Sequence, residues 1–117
     1  MATFGKNIRI AVDKAYRGRV RQLFTEVFGC ALKTPRDDLD VFVFAGGENF
    51  GAYLVDAEHA LAEADQKKAA WLELAVEDPA ATEQKLAALG ITPFDYADKS
   101  HSYFCPPWGP VFRLTRA

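Results

Sequence analysis

The feature that most constrains the fold of this 117-residue chain is an order of elements that occurs twice. In each half, a predicted strand leads into a predicted helix, and three further strands follow. The repeat period is roughly sixty residues, which is typical of a duplicated supersecondary unit. Because a unit of this size cannot bury its own sheet face, we expect the two copies to share a single domain.

The first copy begins with a strand in which apolar and polar side chains alternate. Ile8, Ile10 and Val12 share one face, as in a half-buried strand. Asp13 stands where a helix N-cap belongs, and the helical spacing of apolar residues that follows ends at Gly29. Three short strands, separated by turn-forming residues, are then predicted at residues 31–34, 39–45 and 50–55.

The second copy follows a polar connector, residues 56–68, which we expect to be solvated with at most a turn or two of helix. His59 lies in this connector and is interpreted as a surface residue. Alternation resumes at residue 71, Asp78 and Pro79 predict the start of a helix, and Gly90 predicts its end. Three more strands are predicted at residues 91–96, 100–105 and 111–115.

These patterns predict an α+β fold of two tandem βαβββ modules. The modules span about residues 5–56 and 69–117, and the polar connector joins them within one domain of 117 residues. Two such modules are expected to form a curved mixed sheet around a concave cavity, with the helices on the outside. A ligand would occupy the concave side.

Composition excludes several classes of partner. The formal net charge is -2, whereas binding driven by nucleic-acid phosphates needs a basic excess. No apolar run approaches the length of about 20 residues that a membrane span requires. The first residues lack an apolar signal segment, and Cys30 and Cys105 are too few for a disulfide scaffold. We therefore expect a cytoplasmic protein with free thiols, and neither nucleic acid nor membrane as a partner.

One basic run interrupts this nearly neutral sequence. Arg17 and Arg21 are four residues apart on the first predicted helix, and Arg19 lies on a different side of it. The spacing is typical of a solvated helix surface, and this is our interpretation of all three.

Three segments carry a resemblance to a known superfamily. In the first segment, the strand at residues 8–13 precedes a helix that ends at residues 24–29. In the second, the strand at residues 74–78 precedes a helix that ends at residues 86–90. The third segment, residues 103–114, has the sequence Tyr-Phe-Cys-Pro-Pro-Trp-Gly-Pro-Val-Phe-Arg-Leu. In this ordered set the chain resembles the vicinal oxygen chelate superfamily, which includes glyoxalase I, extradiol dioxygenases, and fosfomycin and bleomycin resistance proteins. The resemblance covers nearly the whole chain and is more specific to the fold than to an activity.

The resemblance also implies where a metal ion would bind, on the first and last strands of each module. The matching positions here are Asn7, Trp71 and Arg113. Trp71 has no lone pair to donate and Arg113 is a fixed cation, so neither ligates a divalent metal. The strand at 50–55 offers no carboxylate, histidine or cysteine. We therefore predict no metal ion and no other cofactor.

Strand alternation indicates which side chains replace the metal site. With Ile8 and its neighbours packed under the helix, the concave side receives Asn7 and Arg9 from the first strand, Trp71 and Glu73 from the fifth, and Arg113 from the last. Two guanidiniums and one carboxylate suit an anionic small molecule, such as a carboxylate or phosphate. Further aromatic walls are predicted from Tyr53 and Tyr103. The alternative is a structural ion network of Arg9, Glu73 and Arg113.

An enzyme without a metal ion would need a general acid or base, for which Glu73 and His101 are the candidates. His101 lies between Ser100 and Ser102, but neighbours on one strand point to opposite faces and form no catalytic triad. Nothing near Cys105 in the sequence would activate its thiol.

The leading hypothesis is a metal-independent protein that binds an anionic or aromatic small molecule, closer in kind to bleomycin resistance proteins than to glyoxalase I. The resemblance also implies a homodimer. One alternative is a glyoxalase-like lyase, isomerase or dioxygenase with a non-standard metal or acid/base site. Another is a structural or partner-binding module whose cavity is filled.

Overall fold

The computed structural model describes residues 1–117 and divides into two compact units, residues 1–60 and 61–117. Each unit holds one mixed sheet and one α-helix, which confirms the predicted α+β class. The strands and α-helices are β1 (Asn7–Asp13), α1 (Arg17–Gln22), β2 (Ala31–Arg36), β3 (Leu39–Val43), β4 (Asn49–Val55), β5 (Trp71–Val76), α2 (Pro79–Ala88), β6 (Ser102–Phe104) and β7 (Val111–Arg116).

The sheet of the first unit has the strand order β1-β4-β3-β2. β1 runs parallel to β4, and the remaining pairs are antiparallel. As the alternation predicts, Val12 is fully buried whereas Arg9 is exposed. Phe24 packs on the sheet with its ring 4.7 Å from that of Phe42 and 4.8 Å from that of Phe50. This aromatic cluster forms the core between the helix and the sheet.

The helix of the first unit starts and stops where the sequence predicts. Asp13 accepts a hydrogen bond from the backbone N–H of Ala15 at 2.9 Å, in a short 3₁₀ turn that precedes α1. The wider turn Leu23–Val27 extends α1. Gly29 then has φ of 72°, a left-handed conformation that a glycine adopts at little cost.

Arg17 and Arg21 correct the prediction of a solvated arginine surface. Both guanidiniums bind Asp40, a β3 residue that is only 1% exposed. Thr34 of β2 is the third side chain that donates to the same carboxylate, at 2.9 Å. The helical spacing of the arginines is as predicted, but the buried acid that faces them comes from a distant strand.

The sheet of the second unit has the order β5-β7-β6, with β5 parallel to β7. Asp78 accepts from the N–H of Ala81 and Pro79 occupies the first turn of α2, as predicted. Leu86 of α2 is fully buried, as is Phe112 of β7. The helix therefore packs its sparse apolar side on this sheet.

The strand predicted at residues 91–96 is wrong, and the next one is shorter than predicted. Only Pro93 bridges to Phe104, and Phe94 N–H donates to the Tyr103 carbonyl at 2.9 Å. Pro93 has no N–H for a sheet ladder. The backbone N–H of Ser100 donates to the Asp98 carboxylate at 2.9 Å, so a local turn competes with strand pairing. The sheet therefore has three strands.

The polar connector folds into two 3₁₀ segments, Ala57–His59 and Glu63–Lys68. The His59 side chain is 68% exposed. Gln66 is the exception in this polar stretch, because it is buried and donates to the Leu61 carbonyl at 2.9 Å. None of the helices is both long and apolar enough to cross a membrane.

Candidate functional site

The sheet face of the first unit that points away from α1 is here named the Arg9 face. Its side chains belong to residues that pair directly across neighbouring strands, so they point the same way. The Arg9 face consists of Asn7, Arg9, Ala11, Asp13, Ala31, Lys33, Arg36, Leu39, Val41, Val43, Asn49, Gly51, Tyr53 and Val55.

The Arg9 side chain reaches diagonally onto the neighbouring strand β4 and lies over the ring of Tyr53. The distance between the guanidinium carbon and the ring centroid is 4.8 Å. Gly51 is the residue directly opposite Arg9. A Cβ on Gly51 would lie 3.3 Å from Cγ of Arg9, so the missing side chain leaves the path that Arg9 follows. A cation over an aromatic ring is held in place while its N–H edge stays accessible.

The charge of the Arg9 face is positive. Arg9 and Lys33 share one row of the sheet, in the register Arg9, Gly51, Val41, Lys33, and lie about 14 Å apart by strand spacing. The one carboxylate in this register, Asp13, lies at the end of β1 and accepts the hydrogen bond from the N–H of Ala15. Within the first unit no carboxylate pairs with Arg9. An anion near Arg9 would therefore meet a net positive surface.

The first predicted metal position, Asn7, is engaged in a side-chain pair. Asn49 donates its amide N–H to Oδ1 of Asn7 at 2.8 Å. Across the described residues 1–117, no three side chains of the types His, Cys, Asp or Glu come together to hold a metal ion. The divalent ion that the fold family implies therefore does not fit the residues that this chain places on its strands.

In the second unit, Glu73 and Arg113 are direct partners across β5 and β7. Nε of Arg113 donates to Oε2 of Glu73 at 2.8 Å, and a second guanidinium N–H reaches the same oxygen. Hydrogen bonds with Tyr103 and Glu73 raise the pKa of Arg113. The structure thus brings Glu73 and Arg113 together, as predicted, but their charges neutralise each other. Arg9, the third residue predicted for this site, belongs to the first unit.

Aromatic side chains surround the exposed end of this pair. Trp71 lies 5.0 Å from Tyr96 and 5.8 Å from Tyr103, measured between ring centroids. Trp71 is 38% exposed and Tyr96 is 42% exposed, whereas Tyr103 is buried. Trp71 and Tyr103 were predicted as aromatic walls, whereas Tyr96 was not, because a strand was predicted at residues 91–96 where the structure has a loop.

Asp98 is the centre of the polar network in the second unit and was not among the predicted site residues. It accepts hydrogen bonds from the Tyr103 hydroxyl at 2.7 Å and from the Ser100 backbone, and it lies 4.0 Å from Arg113. Hydrogen bonds from Ser100 and then Tyr103 hold the pKa of Asp98 well below its usual range. Burial, and then Asp98, raise the pKa of Tyr103. The spacing Asp98 to Ser100 is typical of an Asx turn and was the available signal.

Burial disfavours the thiolate form of both cysteines. Both thiols are free, and Cys30 is buried. Burial raises the pKa of Cys30 to about 12 and also raises that of Cys105. A thiol that stays protonated at neutral pH is a weak nucleophile, which agrees with the sequence-based interpretation of Cys105.

Comparisons with known proteins found similar folds among solved structures. No family model matches the sequence, and no curated protein matches it. Among solved structures, a possible glyoxalase from Bacillus cereus is 16% identical with a TM-score of 0.70 over 97% of this chain and 99% of that chain. The trypanothione-dependent glyoxalase I of Leishmania major is 16% identical with a TM-score of 0.71, covering 98% and 87%. The fosfomycin resistance protein FosX of Listeria monocytogenes, in complex with Mn(II) and sulfate, is 13% identical with a TM-score of 0.73, covering 100% and 92%.

The class defined by these observations is an α+β protein with one mixed sheet and one helix in each half. Glyoxalase and fosfomycin resistance proteins are among the solved structures that share this fold over nearly the full chain. The chain has the fold of the vicinal oxygen chelate superfamily, as its sequence resemblance implied.

Proposed function

We propose that this chain binds an anionic small molecule on the Arg9 face and does so without a metal ion. The observation that carries the proposal is the exposed guanidinium of Arg9, which is held over Tyr53 and has no carboxylate partner in its unit. A guanidinium offers two parallel N–H donors to a carboxylate or a phosphate. Lys33 adds a second positive charge to the same face.

The metal-independent part of the proposal rests on chemistry of the side chains. The strand positions that would ligate a metal carry Asn7, Trp71 and Arg113, and Asn7 already bonds Asn49. In the second unit, Trp71 and Tyr103 form an aromatic surface of their own, with 5.8 Å between their ring centroids. Glu73 and Arg113 of that unit neutralise each other, so they offer an anion no net charge.

A second candidate function is a metal-dependent lyase or isomerase, which the likeness to glyoxalase I and to a Mn(II)-bound fosfomycin resistance protein favours. We also propose that the protein is a homodimer and works in the cytoplasm. The free thiols of Cys30 and Cys105 agree with a reducing compartment.

Thermal unfolding with and without anions separates these functions. We expect benzoate, phenyl phosphate or inorganic phosphate to raise the unfolding temperature of protein treated with EDTA, since a ligand at 100 times its Kd stabilises by about 2.7 kcal/mol. Adding Mn²⁺, Ni²⁺ or Zn²⁺ should leave this shift unchanged. Stabilisation that appears only with a metal ion would support the second candidate, and the absence of any anion effect would favour a partner-binding module.

Substituting Gly51 tests the path of the Arg9 side chain. In Gly51→Ala the new Cβ would crowd Cγ of Arg9, which has to leave Tyr53 or shift along it. We expect the affinity for the best anion of that panel to fall a few-fold, measured by calorimetric titration. The matched control is Gly18→Ala in α1, where an added Cβ meets nothing within 4 Å. Equal affinities of the two variants would contradict the proposed role of Arg9.

A further inference from the structure

The second unit contains a cavity that the proposed function does not use. It has a volume of about 710 Å³ and lies between the first turn of α2, residues 93–103 and the end of β7. Small-molecule sites usually measure about 300 to 1,000 Å³. The cavity is present because residues 95–101 form a loop in place of the predicted strand pairing.

His101 lines this cavity with its ring orientation set by two neighbours. Its Nδ1 lies 3.0 Å from Oδ2 of Asp98 and 2.9 Å from Oγ of Ser100. An ionised carboxylate only accepts hydrogen bonds, and the donors around Asp98 keep it ionised. Nδ1 of His101 therefore carries a proton, so in the neutral imidazole Nε2 is the nitrogen with the lone pair.

The charged groups of the cavity favour an uncharged ligand. Its lining includes the carboxylates of Glu83, Asp95 and Asp98 and the cations of Lys99 and Arg116, which leaves one net negative charge. Lys99 pairs with Asp95, and Arg116 donates to the Glu77 carbonyl at 2.8 Å. The cavity therefore has no net positive charge to attract an anion, in contrast to the Arg9 face.

Apolar groups complete the walls. Phe94, Tyr96, Pro79 and Pro93 line the cavity beside His101. A compact ligand with a flat or apolar part would pack against them while a polar group reached Nε2. Behind His101, the groups that face Asp98 are the Tyr103 hydroxyl of β6 and Arg113 of β7, which in turn binds Glu73 of β5.

We propose that this cavity is a general-base site in which Nε2 of His101 takes a proton from the O–H of water that attacks a neutral acyl ester. Asp98 is the positioning residue, because it orients the imidazole and stabilises the imidazolium that forms. The water oxygen bonds to the acyl carbon, the C–O bond to the alcohol or phenol breaks, and the leaving oxygen departs with the electron pair. The proton on Nε2 passes to the leaving group or to solvent, so the products are an acid and an alcohol or phenol.

The hydrolysis of 4-nitrophenyl acetate, followed by release of 4-nitrophenolate, tests this proposal. We expect the rate in His101→Gln to fall at least about 10-fold, since general-base catalysis contributes roughly 10²- to 10⁴-fold when fully developed. The chain supplies its own control, because His59 is its other histidine and is exposed. His59→Gln should keep the wild-type rate. Equal losses in the two variants, or no loss in His101→Gln, would overturn the proposal.

Asp98→Asn separates positioning from a structural role. In Asp98→Asn, kcat should fall while KM stays near the wild-type value, because the imidazole loses the carboxylate that orients it, whereas a merely structural change in the cavity would alter KM as well. A measurement on the unmodified protein makes the test independent of how the variants fold. Nitrogen-15 spectra should show His101 protonated on Nδ1 and not on Nε2. The opposite tautomer would contradict the proposal.

Discussion

Replacing Asp40 by alanine is expected to lower the free energy of unfolding by about 3 kcal/mol, measured by urea denaturation at pH 7. The carboxylate is 1% exposed and accepts from Nε of Arg17 at 3.0 Å, Nε of Arg21 at 2.8 Å and the Thr34 hydroxyl at 2.9 Å. Breaking a buried ion pair by removing one partner costs about 3 to 5 kcal/mol. Because both arginines keep access to water, the lower end of that range applies.

An exposed ion pair is the matched control. Asp56 pairs with Lys14, and both side chains are more than half exposed. Surface pairs of this kind contribute about 0 to 1 kcal/mol, so Asp56→Asn should change stability little. A loss in Asp56→Asn as large as that in Asp40→Ala would mean that burial of Asp40 is not the cause.

The dependence on pH provides a second check on Asp40. Burial alone would raise the pKa of Asp40, but hydrogen bonds from Arg21, Arg17 and Thr34 outweigh it and hold the pKa well below the usual range. Since the folded-state pKa is the lower one, this stabilisation is complete above the unfolded value of about 3.9 and is lost as the pH falls below it. In Asp40→Asn, unfolding free energies should differ from wild type less at pH 3 than at pH 7. An equal difference at both pH values would contradict the conclusion that these hydrogen bonds lower the pKa of Asp40.

Replacing Arg9 by alanine is expected to weaken binding of benzoate or phenyl phosphate roughly 10- to 100-fold, which corresponds to about 1.4 to 2.7 kcal/mol. Arg9 supplies the bidentate donor of the Arg9 face, and Lys33 lies too far along the row to replace it. Arg9→Lys keeps the charge but loses the paired donors, so its affinity should lie between those of Arg9→Ala and the wild type. Calorimetric titration at fixed ionic strength measures all three.

Two features make the Arg9 experiment decisive. The side chain is exposed and pairs with no carboxylate of its unit, so its loss should leave the unfolding temperature of the free protein nearly unchanged. Arg19 is a matched control, because its guanidinium also lies over a tyrosine ring, that of Tyr16 at 5.9 Å, but belongs to α1. If Arg19→Ala weakened binding as much as Arg9→Ala, the effect would be one of net charge, and the Arg9 face would not be the binding site.

Elements governed by neighbouring residues were predicted correctly. The alternation of β1 and β5, the caps at Asp13 and Asp78, and the left-handed glycines 29 and 90 all agree with the structure. Each depends on a hydrogen bond or a burial preference that acts within a few residues. The strand at 91–96 failed because pairing depends on a partner far along the chain, and a local turn at Asp98 competed with it.

Which charged side chains of the two sheets form ion pairs could be determined only from the folded structure. The sequence shows that Arg9, Glu73 and Arg113 lie on the sides of their strands opposite the apolar residues, and period-two geometry suffices for that. It does not show that Glu73 neutralises Arg113, that Arg9 has no carboxylate partner in its unit, or that Asp40 draws two arginines of α1 to the core. Ion pairing is decided by distances of a few ångströms between residues that lie about 20 to 40 positions apart. For this chain, local pattern established the repeated fold, and long-range packing established which of its charges are available to a ligand.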